Sequence, residues 1–215
     1  MAIAARINQT KLDVFRWRYE LSIPKKVALA VGMACLTGLL AQVRLPLPWS
    51  PVPVTGQTFA VLLAAVLLGR WWGGASMGIY GALGMAGVPW FSGWSSGLGA
   101  TGGYIFGFIL AALFLGHFTD KYVRSRSFTS MFGLMLVASL VLIYVPGLIW
   151  LGVWLKAVAG TPATIATVLG MGAAPFIAGD ITKAVLAAVI ARGITPKKAF
   201  NSEADDDKWA KWPLP

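Results

Sequence analysis

An aspartate and a lysine, Asp180 and Lys183, stand three residues apart in the apolar run AAPFIAGDITKAVLAAVIARG. This spacing places both side chains on one face of a helix. A charged side chain at membrane depth costs roughly 2.5 kcal/mol or more, so such residues usually face a partner, a cavity or a ligand. A carboxylate only accepts hydrogen bonds and an ammonium only donates them, so the pair can hold a compact neutral group such as a urea. The alternative is an intrahelical ion pair that only neutralises itself.

The composition indicates an integral membrane protein. Hydrophobic residues make up 57% of the 215 residues and charged residues only 12%, and the mean hydropathy is +0.71. These values are too apolar for a soluble domain of this length. The net charge of +10 comes mainly from lysines and arginines at the two ends and in short loops, as positive-inside topology predicts. Because no separate basic domain exists, we expect no nucleic acid among the partners.

The sequence lacks the motifs of common enzyme classes. It contains no GxxxxGK[ST] phosphate loop and no HExxH motif, and its single histidine is His117. The single cysteine, Cys35, cannot form an internal disulfide or a thiolate metal site. We therefore expect no enzyme activity, no metal and no cofactor. An intramembrane enzyme that uses Asp180 as a general base is a weaker alternative, since no nucleophile or metal-ligand set accompanies the carboxylate.

Apolar segments predict an all-α integral membrane protein with six transmembrane helices. These helices are expected at residues 27–43, 54–69, 74–88, 102–118, 131–151 and 175–192. They form one domain, 27–192, between an N-terminal segment, 1–26, with the spacing of an interfacial helix, and a flexible polar tail, 193–215. Most lysines and arginines then lie on one side, so both termini are predicted to be cytoplasmic. Asp180 and Lys183 would lie roughly 8 to 12 Å below the outer surface.

Three loops are expected at the outer end of the helices, near this charged pair. One is rich in proline and is predicted to be extended and polyproline-like, the second spans 89–100, and the third holds a short helix after Thr161. Thr55 and Gln57 can serve there either as a helix cap or as ligand contacts. Aromatic side chains in the same region can pack around a ligand or act as membrane-belt residues: Trp49, Trp90, Phe91, Trp94 and Tyr104.

Four separated motifs occur in order along the chain: PVPVTGQTFAVLLAAVLLG, GALGMAGVPWFSG, TGGYIFGF and PFIAGDITKAVLAAV. The chain resembles the BioY family, the substrate-specific S components of energy-coupling factor transporters for biotin. The resemblance implies the six-helix S-component fold in the cell membrane, surrounded by lipid. It also implies capture of biotin from the outer side and association with a transmembrane scaffold subunit and two ATPases. The alternative is a solitary biotin carrier that works without ATPases.

The resemblance also implies roles for individual residues. It implies that Asp180 and Lys183 contact the ureido ring of biotin, and that Tyr104 and the turn at 89–91, with Trp90 and Phe91, form pocket walls. The family uses small residues on its first helix to meet the scaffold, a place occupied here by Ala30 and Ala34, for which close packing inside the bundle is the alternative. The loop 89–99 lacks the asparagine that some relatives place on the ureido ring. A serine can take its place: Ser92, Ser95 or Ser96.

Overall fold

The computed structural model describes residues 2–196, with side chains from residue 9 onwards. Most of this part of the chain is helical, as predicted. The predicted polar tail lies almost entirely outside the described residues. The helices are α1 (Ala2–Glu20), α2 (Ile23–Gln42), α3 (Gln57–Met85), α4 (Gly102–Lys121), α5 (Phe128–Val137), α6 (Tyr144–Ala157), α7 (Ile165–Gly172) and α8 (Ile177–Ile194), with a 3-10 turn at Val123–Arg126 and a π-helical segment at Ala138–Ile143.

Helix α3 reverses direction at Gly69. The side-chain amide of Gln57 donates a hydrogen bond to the hydroxyl of Tyr80 at 2.7 Å, although the two residues are 23 positions apart. A straight helix would separate them by about 34 Å. Gly69 has φ of 77° and ψ of −174°, a conformation that glycine adopts without steric cost. The chain therefore folds into two adjacent arms, 57–68 and 70–85, as the two separately predicted apolar segments require.

Charged groups hold this turn in place. The Oδ2 atom of Asp120 accepts a hydrogen bond from the backbone N–H of Arg70 at 2.8 Å. The other carboxylate oxygen of Asp120 pairs with Arg18 of α1, which also donates to the carbonyl of Val66 at 2.8 Å. The backbone groups that the turn leaves without helical partners are thus satisfied, and α1 is attached to the Gly69 end of the bundle.

Close backbone contact between α4 and the α5–α6 helix shapes the interior. A Cβ atom at Gly103 would lie 2.2 Å from the carbonyl oxygen of Pro146, and one at Gly107 would lie 2.6 Å from the Cα of Ile143. Only glycine permits this approach. It brings the π-helical segment and Tyr144 next to Tyr104, with the two tyrosine rings 6.5 Å apart.

Four helices in the described part of the chain are long and apolar enough to span a membrane, and α7 with α8, bent by 44°, is a fifth if the pair is one span. Counting the two arms of α3 separately would give six. That count, and the cytoplasmic position of both termini, stay predictions.

The proline-rich loop forms a β-hairpin, so its predicted polyproline-like geometry is wrong. Strand β1 (Arg44–Leu47) pairs antiparallel with β2 (Ser50–Thr55), with Arg44 opposite Thr55 and Leu45 opposite Val54. None of the paired residues is a proline. The prolines therefore occupy positions whose missing N–H does not interrupt the ladder, and the hairpin extends over the same end of the bundle as Asp180.

Candidate ligand-binding site

A small cleft, with about 50 Å³ of interior space, lies between the hairpin, the start of α3, the loop before α4, the π-helical segment and α8. Both polar and apolar side chains line it, as in most small-molecule sites. The polar or charged lining residues include Thr55, Gln57, Thr58, Ser92, Thr101, Asp180 and Lys183, and the aromatic ones are Phe91, Tyr104, Phe108, Tyr144 and Phe176.

The Asp180 carboxylate lies at the base of this cleft and is 3% exposed. Its Oδ1 atom accepts a hydrogen bond from the Lys183 ammonium at 2.7 Å, and its Oδ2 atom accepts one from the hydroxyl of Tyr144 at 2.5 Å. Each oxygen keeps a further lone pair, and the ammonium keeps further donors. The predicted pair thus forms an intrahelical ion pair and also lines a cavity.

Tyr104 lines the same cleft but uses its hydroxyl elsewhere. The hydroxyl donates to the carbonyl oxygen of Gly172, at the end of α7, at 2.8 Å. The side chain fits because Gly147 has no Cβ, which would lie 2.4 Å from the ring. Tyr104 therefore presents its ring to the cleft and anchors α7 with its hydroxyl.

Thr55 and Gln57 serve local structure and line the cleft as well. The Thr55 hydroxyl donates to the Oε1 atom of Gln57 at 2.8 Å, and the Gln57 amide donates to Tyr80. The Tyr80 hydroxyl in turn donates to the carbonyl oxygen of Trp90 at 3.3 Å. This chain of hydrogen bonds ties the start of α3 to the loop that follows it.

Three of the other aromatic residues predicted near the charged pair take different positions in the structure. Phe91 is 3% exposed and lines the cleft. Trp90 is not among the lining residues, because its indole N–H donates to the carbonyl of Tyr80 at 3.0 Å and holds the ring against α3. Trp49 lies between the two hairpin strands, 58% exposed and away from the cleft.

Among the three candidate serines, only Ser92 lines the cleft. Its hydroxyl oxygen is buried and has no hydrogen-bond partner among the described residues. A buried hydroxyl without a partner costs free energy, so a polar ligand atom in the cleft would relieve that cost. Ser95 instead donates to the carbonyl of Ser92 at 2.9 Å.

Tyr144 and Gln42 were not predicted from the sequence, yet both hold parts of the cleft in position. Tyr144 binds Asp180, as described above. Gln42, at the end of α2, donates to the carbonyl of Phe91 at 3.0 Å and accepts from the backbone N–H of Gly93 at 3.1 Å. Both ends of one amide therefore hold the loop that carries Phe91 and Ser92. No local pattern marks either residue, because their partners are distant in the chain.

The proposed contact with a scaffold through Ala30 and Ala34 does not fit the structure. Both are 0% exposed, since α2 packs against α3 there and Ser76 donates to the carbonyl of Ala30 at 2.7 Å. The geometry favours the alternative, close packing within the bundle. The small residues on the exposed face of α2 are Ala28, Gly32 and Cys35.

The comparisons with known proteins agree with this architecture. Residues 9–200 match the family model of the BioY family. The chain belongs to the BioY family. It is 51% identical over 157 residues to a probable biotin transporter BioY of Methanothermobacter thermautotrophicus, with 71% of this chain and 100% of the relative covered. It is 36% identical to the biotin transporter BioY of Thermotoga maritima, with 67% and 82% covered.

A solved S-component structure has a similar fold. The crystal structure of the S-component for biotin from an ECF-type ABC transporter superposes with a TM-score of 0.68 at 25% identity, covering 80% of this chain and 93% of that chain. The resemblance seen in the motifs is confirmed. BioY membership makes this chain a multi-pass membrane transport protein, and the prediction that it is not an enzyme is confirmed as well.

Proposed function

We propose that this chain captures biotin from the outer side of the cell membrane and works as the substrate-specific component of an energy-coupling factor transporter. The observation that carries the proposal is the ion pair of the buried Asp180 and the partly buried Lys183, which both line a cleft, in a chain whose relatives are named as biotin transporters.

The hydrogen-bonding groups of the cleft match a ureido ring. A urea presents N–H donors and a carbonyl acceptor, so the Lys183 ammonium would donate to the carbonyl and Asp180 would accept from the N–H groups. Tyr144 holds one carboxylate oxygen at 2.5 Å, which orients the other toward the ligand. The free Ser92 hydroxyl would supply a further polar contact, and Phe91 and Tyr104 would pack against the apolar ring.

We infer the direction of binding from the distribution of charge. The Gly69 end of the bundle holds Arg18, Arg70 and the basic 3-10 turn at Val123–Arg126, whereas the cleft end holds few cations. Positive charge marks the cytoplasmic side. Six spans, counted with the two arms of α3, would place both termini there, and the cleft would open outward.

The partners are proposed from the family and the motifs. Because the sequence contains no phosphate loop, uptake against a gradient would need ATPases and a scaffold that connects them to this chain. The scaffold contact is better placed on the exposed small residues of α2, around Gly32, where a Cβ atom would meet nothing within 4 Å, than on the buried Ala30 and Ala34.

Reconstitution tests the function. Purified protein should bind biotin and should not bind thiamine, and liposomes that contain this chain alone should take up no labelled biotin. Uptake without any partner would instead establish the solitary carrier. Failure of the purified protein to bind biotin in detergent or lipid would contradict both the transporter component and the solitary carrier.

The substitution Tyr144→Phe should weaken biotin binding about three- to tenfold, because Asp180 loses a charge-assisted hydrogen bond that orients it. Isothermal titration of the purified variant measures the effect. Tyr122→Phe is the matched control, since Tyr122 directly follows α4 and does not line the cleft. Equal affinities of the two variants and the wild type would show that Tyr144 does not orient the carboxylate.

A further inference from the structure

Arg44 is an exposed residue beside the cleft and takes no part in the Asp180–Lys183 pair. It opens strand β1 directly opposite Thr55, and residues directly opposite in an antiparallel pair present their side chains on the same face. Thr55 lines the cleft. The Arg44 side chain therefore extends from the face of the hairpin that is turned toward the cleft.

A second contact locates the guanidinium more closely. It lies against Gly93 so tightly that a Cβ atom there would be 2.3 Å from the Nη1 atom of Arg44. Gly93 follows Ser92, whose unpartnered hydroxyl also lines the cleft. Arg44 is not among the residues that line the cleft itself, but its guanidinium packs on the neighbour of one lining residue, Ser92, and its backbone pairs with another, Thr55.

The charge of Arg44 is not neutralised within residues 9–196. Its guanidinium makes no hydrogen bond or ion pair with the side chains described there. The carboxylate of Asp180 is already bound by Lys183 and Tyr144, and Asp120 pairs with Arg18 at the Gly69 end. The remaining described acids, Asp13 and Glu20, lie on α1. An anionic ligand group at the cleft mouth would therefore meet a positive charge with free donors.

We propose that Arg44 binds the carboxylate end of the ligand, an assignment that rests on the biotin function proposed above. Biotin carries its ureido ring at one end and an ionised carboxylate at the other. With the ring on Asp180 and Lys183 at the base, the acyl chain would run outward and place the carboxylate beside the guanidinium. The planar fork of arginine matches a carboxylate with two parallel hydrogen bonds.

The test compares biotin with biotin amide, in which the carboxylate is replaced by a neutral group of similar size. Wild-type protein should bind biotin ~2- to 5-fold more tightly than the amide, the range expected for an exposed ion pair. Arg44→Gln should lose this preference because it weakens the binding of biotin and leaves the binding of biotin amide unchanged. Arg44→Lys should retain part of the preference. The matched control is Lys156→Gln, which removes an exposed cation at the end of α6 and should leave the preference unchanged.

The outcomes separate this inference from the function on which it rests. If Arg44→Gln still binds biotin more tightly than biotin amide, or binds both ligands more weakly by the same factor, the role of Arg44 is overturned while the proposed biotin site stands. The same loss of preference in Lys156→Gln would also overturn it, because the effect would then come from general surface charge. Binding of neither ligand by the wild type would overturn both proposals.

Discussion

Replacing Asp180 with asparagine is expected to weaken biotin binding about 100-fold, because it removes the charge at the base of the cleft. The carboxylate is 3% exposed and accepts from Lys183 at 2.7 Å and Tyr144 at 2.5 Å. An amide keeps the shape but loses the charge-assisted hydrogen bonds, each of which contributes roughly 1.5–3 kcal/mol. It also leaves the partly buried Lys183 ammonium without its counter-ion.

Isothermal titration of purified variants measures this effect, with a thermal unfolding profile to show that each variant is folded. Asp13→Asn makes the same chemical change at an exposed position of α1 and should bind biotin as the wild type does. Lys183→Ala should also weaken binding. If both Asp180→Asn and Lys183→Ala bind biotin with wild-type affinity, the pair is not part of the binding site.

Replacing Gly107 with alanine should destabilise the protein by about 1–3 kcal/mol, as expected for overpacking a tight interior. The new Cβ atom would lie 2.6 Å from the Cα of Ile143 and 2.8 Å from the carbonyl oxygen of Leu142. Both neighbours are backbone atoms, which cannot move aside as a flexible side chain can. Because Ile143 and Tyr144 line the cleft, displacement of this helix should also lower biotin affinity.

The unfolding midpoint in detergent measures the loss of stability. Gly78→Ala is the matched control, since Gly78 lies within the second arm of α3 and an added Cβ atom there meets nothing within 4 Å. It should be neutral or slightly stabilising because alanine favours the helix. Equal midpoints for the two variants would show that α4 and the π-helical segment are not in close contact.

Features with a local cause could be predicted from the sequence. The spacing of Asp180 and Lys183 placed them on one helical face, because that depends only on helical geometry. Apolar segments located the helices, and two such segments meeting near Gly69 matched the two arms of α3. The motifs around PVPVTGQ, TGGY and GDITK identified the family, because their order along the chain is itself sequence information.

Features that depend on distant contacts needed the tertiary structure. The hairpin required knowledge of which residues pair, since four nearby prolines alone favour an isolated extended chain. Phe91 and Trp49 are both aromatic residues of predicted outer loops, but Phe91 is buried in the cleft whereas Trp49 is 58% exposed. The structure likewise shows that Ala30 and Ala34 face the interior of the bundle. The sequence could not predict this, because small residues at this spacing permit close packing with any neighbouring helix and do not specify which one.

The sequence by itself determined the membrane class, the family and the charged pair, since each follows from composition or from residues close in the chain. Only the tertiary structure decided how the site is completed. Tyr144 reaches Asp180 across 36 positions, and Gln42 holds the backbone of a loop about 50 positions away. These contacts arise because packing brings the end of α2 to the loop beside the cleft and the start of α6 to α8, and the spacing of residues within a single helix does not encode such contacts.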